Sequence, residues 1–260
     1  MKIAIGYGSL PNRLSVAGRL ALAREAGLEG VELVQFPTLD EAQRVGDLAH
    51  NAGLEVPSLM CSTHWHFPLS STDEEIREKG VEGVAQGLRQ AQAVGAAVLL
   101  VVPGVVTEDV SYKAAYENAG RSLRELLPVA EETGVVMALE NVWNRFLLSP
   151  LELRTFIDGF ESDYVQAYFD TGNVMLTGYP HHWIEVLKKR IRAVHIKDFD
   201  AKENRFVGLL QGTVDFPRIM AALHGVGYNG YLTAEVTPYK QFPEQFVRDT
   251  AAQLAQIAKA

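Results

Sequence analysis

Eight short β-rich runs alternate with longer helix-patterned segments from one end of this chain to the other, and that alternation limits the fold class. The runs read KIAIGY (2–7), GVELV (30–34), EVPSLM (55–60), AVLLVV (97–102), VVMALE (135–140), YVQAYFD (164–170), IRAVHIKD (191–198) and GYLTAEV (230–236). Between them, segments such as 13–26, 73–94 and 113–133 are rich in Ala, Leu, Glu, Arg and Gln, residues that lose little freedom on entering a helix. Several of these segments close on a glycine just before the next run, at Gly27, Gly95, Gly134 and Gly227. A left-handed residue there is the expected helix stop. Strands alternating with helices pair in parallel through right-handed crossovers. Eight such units in 260 residues predict an α/β fold, a (β/α)8 TIM barrel forming a single domain over 1–260. The rival is a doubly wound open sheet, but no Gly-x-Gly-x-x-Gly follows the first run, where a dinucleotide site would need it.

Four of the later apolar stretches close on a side chain that can bind a metal: VVMALE at Glu140, YVQAYFD at Asp170, IRAVH at His195 and GYLTAE at Glu235. Burying a carboxylate or an imidazole at a strand tip costs free energy unless something compensates, and α/β folds build their sites at the C-terminal tips. Singly, each has an ordinary explanation; Asp170 before Thr-Gly-Asn reads equally as an Asx-turn opening the next helix. Their recurrence in four successive units predicts one divalent ion. Oxygen donors with a single nitrogen suit manganese, magnesium or cobalt better than structural zinc, and manganese is the first expectation. Such an ion polarises a carbonyl, and neighbouring carboxylates can then exchange protons with the substrate.

Composition narrows the partners. A net charge of −8 argues against a nucleic-acid partner, which usually meets basic patches. No apolar stretch approaches a membrane span, and the N-terminal run is too short for a signal peptide core. The single cysteine, Cys61, excludes an intrachain disulfide. The expectation is a cytoplasmic protein acting on a small molecule, with homo-oligomer formation left open.

LENVWNRF (139–146), FDTGNV (169–174), AVHIKDF (193–199) and QGTVDF (211–216) resemble the xylose-isomerase-like TIM-barrel superfamily. Within it they are similar to the ketose 3-epimerases, and especially to the L-ribulose-5-phosphate and L-xylulose-5-phosphate 3-epimerases. The resemblance implies that Glu140, Asp170, His195 and Glu235 ligate the metal and that Glu140 and Glu235 are also the catalytic acid/base pair. It further implies inversion at C3 of a ketose through a cis-enediolate. Asn173 stands where free-ketose enzymes usually carry histidine, and Leu147 where they carry glutamate. Together with the His-x-Lys-Asp run, Asn173 points to the phosphate-ester branch, with Gln211-Gly212-Thr213 as a source of backbone donors for the anion.

Seven further residues are expected to bind a sugar or sugar phosphate. His64 and Trp65 follow the third run, and Trp143 and Asn144 follow Glu140. Asn173 lies three residues beyond Asp170. Lys197 shares a strand face with His195, with a salt bridge to a site carboxylate as its competing role. Arg205 lies in a charged loop and reads equally well as solvated. Glu32 is on the correct face of the second run, without an identifiable partner. His181-His182 reads as a helix start rather than a metal pair, because adjacent helical residues diverge. The rivals to epimerisation are aldose–ketose isomerisation and lyase chemistry on the same metal site. More distant are a metal-dependent endonuclease of the same superfamily and a noncatalytic binding barrel.

Overall fold

The expected units close on themselves in the computed structural model, which describes residues 1–260. The parallel strands are β1 (Lys2–Gly6), β2 (Gly30–Val34), β3 (Ser58–Met60), β4 (Val98–Val101), β5 (Val136–Glu140), β6 (Val165–Asp170) and β7 (Ile191–Ile196). An antiparallel hairpin of β8 (Asp198–Asp200) and β9 (Arg205–Val207) then intervenes before β10 (Tyr231–Ala234), which completes the closed barrel by pairing with both β7 and β1.

The helices are α1 (Val16–Glu25), α2 (Leu39–Asn51), α3 (Glu74–Ala93), α4 (Tyr112–Thr133), α5 (Pro150–Asp158), α6 (Pro180–Leu187), α7 (Phe216–Gly225) and α8 (Pro243–Ile257). Their starts are written locally. Ser15, Thr38, Asp73, Ser111, Ser149 and Asp215 each accept the backbone N–H three residues on. Each such cap stabilises by about 1 kcal/mol. Gly27, Gly95, Gly134 and Gly227 all have positive φ, so the foreseen stops adopt the left-handed conformation. His181 and His182 fall in the first turn of α6.

Two cores result. The larger fills the shell between strands and helices, including Leu20, Leu33, Leu88, Leu99, Leu123 and Leu254. The smaller lies inside the barrel, where Val98, Leu100, Ala138, Tyr168 and Ala193 meet. The barrel is therefore plugged from within, as inward-facing strand residues dictate, and its usable cavity is confined to the C-terminal end. No helix is long and apolar enough to cross a membrane.

Two of the expected runs are shortened for identifiable reasons. The third contracts from 55–60 to Ser58–Met60, because Pro57 has no N–H for the ladder, and Glu55 keeps only an isolated bridge to Gly30. The seventh breaks at Lys197. Beyond it, the Asp198 carboxylate accepts backbone N–H groups from Phe199 (2.8 Å), Gln211 (3.0 Å), Gly212 (2.9 Å) and Val214 (3.4 Å). This wrap folds the chain back as the β8–β9 hairpin over the barrel mouth. A Cβ at Gly212 would lie 2.2 Å from Asp198 Oδ1, so the closeness of that wrap requires glycine.

Candidate metal centre

Glu140 is the last residue of β5 and Asp170 the last of β6; His195 is next to last in β7, and Glu235 follows β10. Register pairs Asp170 directly with His195, while Glu140 pairs with Tyr168 and Glu235 follows Ala234, the partner of Ile196, so the four arrive from neighbouring strand ends at staggered positions. One ligand atom from each of the four lies within 4.8 Å of all the others. His195 Nδ1 is 3.0 Å from Glu140 Oε1, 3.1 Å from Glu235 Oε2 and 3.8 Å from Asp170 Oδ2. Asp170 and His195 are fully buried, whereas the Glu235 side chain keeps a third of its surface toward the cavity.

Three carboxylates in so small a buried volume perturb one another. Burial pushes the Glu140 carboxyl up to about 7 against the pull of His195 and Lys197, and it raises Asp170 as well. Burial acts on Glu235 in the same sense, but His195 and Lys197 outweigh it and hold that carboxyl well below the usual range. Burial disfavours a charged His195, yet Glu32, Glu235 and Glu140 raise its pKa well above the ordinary value. Without metal, these three carboxylates favour the protonated form of His195.

The donor set fits a divalent ion. Asp170 Oδ2 and Glu235 Oε2 are buried without a hydrogen-bond partner. Lys197 Nζ lies 3.2 Å and 2.6 Å from these two atoms, an ionic contact that lacks hydrogen-bond alignment. Opposite ligands on one ion with bonds of about 2.1 Å would be about 4.2 Å apart, close to the observed spread. Glu140, Asp170, His195 and Glu235 are the residues that would hold it. Asp170 also keeps its local role, because its Oδ1 accepts the Asn173 N–H at 2.7 Å.

Two supporting residues were not among the expected site residues. Asn141, just past Glu140, bonds the Asp170 main chain at both N–H (2.9 Å) and C=O (3.0 Å), tying β5 to β6 where two site carboxylates emerge. Glu32, 1% exposed on β2, accepts from Ser58 Oγ and Tyr168 Oη, each at 2.6 Å on Oε2. Its Oε1 lies 2.8 Å from His195 Nε2. A glutamate inside an apolar run was the only sequence signal for Glu32, and its place in LENVWNRF the only one for Asn141.

A cavity of 750 Å³ opens beside the cluster, with Glu32, Lys197, Arg205 and Glu235 among its lining residues. Tyr7, Gly8 and Ser9 after β1 line it too and were not anticipated. Of the seven expected substrate residues, Lys197 and Arg205 reach this cavity. Arg205 does so from β9, a strand rather than the expected loop. Trp143 and Asn173 line a separate 220 Å³ cavity between the loops that follow β5 and β6. Trp143 stacks on Phe206 at 4.8 Å, and Phe206 lines the main cavity. His64 is buried, its pKa lowered by burial to about 4, so it is neutral at physiological pH. Trp65 is half exposed and packs edge-on against His64. Asn144 is engaged by its own loop, donating to Gly104 O and accepting from Phe146 N–H. The donors expected from Gln211-Gly212-Thr213 are also spent: the first two N–H groups on Asp198 and the third on Phe199 O.

A family model described as xylose isomerase-like TIM barrel matches residues 20–257. The L-ribulose-5-phosphate 3-epimerase UlaE of Escherichia coli O1:K1 / APEC is 28% identical over 233 residues, spanning 82% of this chain and 78% of that protein. The apo structure of 3-keto-D-glucoside 4-epimerase, YcjR, from E. coli superposes with a TM-score of 0.84 at 21% identity, with both chains fully covered. An L-ribulose 3-epimerase structure gives a TM-score of 0.84 at 18% identity, covering 100% of this chain and 95% of the other. At these identities the two structures speak for the fold.

Proposed function

The chain belongs to the xylose isomerase-like TIM barrel family, and on that premise we propose that it is a divalent-metal-dependent enzyme that inverts C3 of a ketose or ketose phosphate. One observation carries the proposal: Glu140 and Glu235 approach a common point from strands three places apart around the eight-strand ring, each about 3 Å from His195 Nδ1. Two carboxyl groups converging from different sides of a small site are what removal of a proton from one face and delivery to the other requires. The 28% identity to an L-ribulose-5-phosphate 3-epimerase supports the same reading.

Glu140, Asp170, His195 and Glu235 would hold the ion, for which manganese is our first choice. When bound, it would polarise the ketose carbonyl and stabilise negative charge on the oxygens at C2 and C3. One glutamate takes the C3 proton; the C–H electron pair forms a C2–C3 double bond as the C2=O π pair moves onto O2, giving a cis-enediolate of the sugar, and these shifts reverse when C3 is reprotonated. The other glutamate protonates C3 from the opposite face, and the reverse reaction exchanges their roles. Such a pair must hold one proton between them. In the protein without metal the two environments pull this pair apart: burial pushes Glu140 up to about 7, while for Glu235 burial is outweighed by His195 and Lys197, which hold it well below the usual carboxylate range.

The remaining residues orient the sugar. Lys197 sits beside Asp170 and Glu235 and would donate to a substrate oxygen. Arg205, on the hairpin edge of the cavity, would meet the far end of the substrate, including a phosphate when present. Neutral His64 would serve as a hydrogen-bonding group, while Trp65, Trp143 and Asn173 would shape the mouth. Asn144 would act by fixing the loop after Glu140. Four carboxylates and two cations line the main cavity (Glu32, Asp198, Asp200 and Glu235 against Lys197 and Arg205), an arrangement hostile to a nucleic-acid backbone.

The experiment is a panel of ketopentoses, ketohexoses and their phosphates, incubated with Mn²⁺-loaded enzyme and resolved by NMR. Interconversion of a pair differing only at C3 is the expected result. Formation of an aldose would replace epimerisation with isomerisation.

A further inference from the structure

Directly beneath the cluster of Glu140, Asp170, His195 and Glu235, a second tier of polar groups spans the barrel interior, and every atom in it has a partner. Glu32 enters from β2, Ser58 from β3 and Tyr168 from β6. All three are at most 1% exposed. Ser58 Oγ and Tyr168 Oη both place their hydrogens on Glu32 Oε2 at 2.6 Å, and the two hydroxyls lie 3.4 Å apart. The Tyr168 ring also packs against His195, with centroids 4.4 Å apart. That leaves Glu32 Oε1 facing His195 Nε2 at 2.8 Å. A carboxylate accepts and does not donate, so Nε2 carries the hydrogen, and Nδ1 is the nitrogen whose lone pair can be offered to the metal cluster.

We propose that Glu32 is a positioning residue for the metal centre. Held by Ser58 and Tyr168, it accepts the Nε2–H of His195, which fixes the ring and directs Nδ1 at the ion. The inference rests on reading His195 as a ligand, but not on which sugar is turned over. One feature sets Glu32 apart from a buried residue that only packs: its two oxygens have separate tasks, one taken wholly by hydroxyls and the other facing the imidazole. A carboxylate that accepts the hydrogen of one ring nitrogen raises the basicity of the other, the one offered to the metal. A side chain without an acceptor at this point leaves the imidazole free to turn and the Nε2–H buried without a partner.

The test measures Mn²⁺ affinity by titrating the free-ion EPR signal with wild-type protein, Glu32→Gln and Glu32→Leu, with thermal melting of each metal-free protein as the folding control. Outer ligands of this kind typically change metal affinity on the order of 10–100-fold. Glu32→Leu is expected at the upper end of that range. Glu32→Gln, which keeps an acceptor oxygen but not the charge, is expected at the lower end. Mg²⁺-loaded wild-type protein should show a downfield His195 Nε2–H resonance that Glu32→Leu loses. Should Glu32→Leu fail to fold, the glutamine variant decides alone. A folded variant that binds Mn²⁺ as tightly as wild type, or that loses melting temperature without losing metal affinity, overturns the proposal and leaves Glu32 as packing. Absence of epimerase activity on every sugar would count against the proposed reaction and leave this comparison of affinities unaffected.

Discussion

His195 Nε2 lies 2.8 Å from Glu32 Oε1, although the two residues are 163 positions apart in the chain and their strands are three places apart around the ring. That contact gives the two ring nitrogens different surroundings, a single carboxylate below and three carboxylates above. A proton on Nδ1 and a metal ion at that point are therefore alternatives.

Metal binding should release a proton and tighten as pH rises. The His195 pKa is raised well above its ordinary value, so below that raised value the imidazole enters the competition protonated. Protons compete at Glu140 in the same direction, since its carboxyl titrates near 7. Calorimetric Mn²⁺ titrations between about pH 6 and 8, run in two buffers of different ionisation enthalpy, should show weaker binding at the acid end and about one proton or more released per ion. Affinity independent of pH over that range would contradict a buried imidazolium in the metal-free site.

Glu140→Gln and Glu235→Gln should each lower kcat on the order of 10²–10⁴-fold, the contribution of one positioned acid or base. Metal content must be measured in the same preparations, because both residues belong to the donor cluster. Retention of metal with loss of turnover is the expected signature. A variant that keeps both metal and kcat removes that residue from the proton-transfer pair.

Asp198→Ala should detach the hairpin. It leaves the N–H groups of Phe199, Gln211, Gly212 and Val214 without their acceptor. Stranded buried donors cost about 1–3 kcal/mol each, and relaxation into water would hold the total to roughly 3 kcal/mol. Urea unfolding gives the stability loss, and amide exchange should rise first at 205–214. Gly212→Ala, whose methyl would collide with Asp198, should reproduce the pattern.

Arg205→Ala should separate the two substrate types. A guanidinium–phosphate contact is worth about 1.5–3 kcal/mol, so KM for a ketose phosphate should rise about 10–100-fold. KM for the corresponding free ketose should stay near wild type. An equal effect on both would place Arg205 in general cavity architecture.

The barrel and the four clustered side chains were legible because each of the four ends an apolar run, and position at a strand end survives any detail of folding. Glu32 was not legible as a partner. It sits in the middle of GVELV, and its contacts with Ser58, Tyr168 and His195 exist only once the sheet has closed. Asp198 read as a continuation of the strand, because the donors that turn it into a hairpin anchor come mostly from residues 211–214, beyond the reach of local pattern. Asn144 looked like a ligand contact because a polar residue after a motif carries the same signal whether its amide meets substrate or, as here, Gly104 and Phe146.

Proton exchange at C3 by Glu140 and Glu235 is the defining step of the proposed reaction. Its most direct test is a single incubation of metal-loaded enzyme with a ketose substrate in D₂O, followed by NMR of the recovered sugars. Deuterium at C3 of the epimerised ketose, with C1 unlabelled, is the expected result. Deuterium confined to C1, or at C2 of an aldose product, would contradict it.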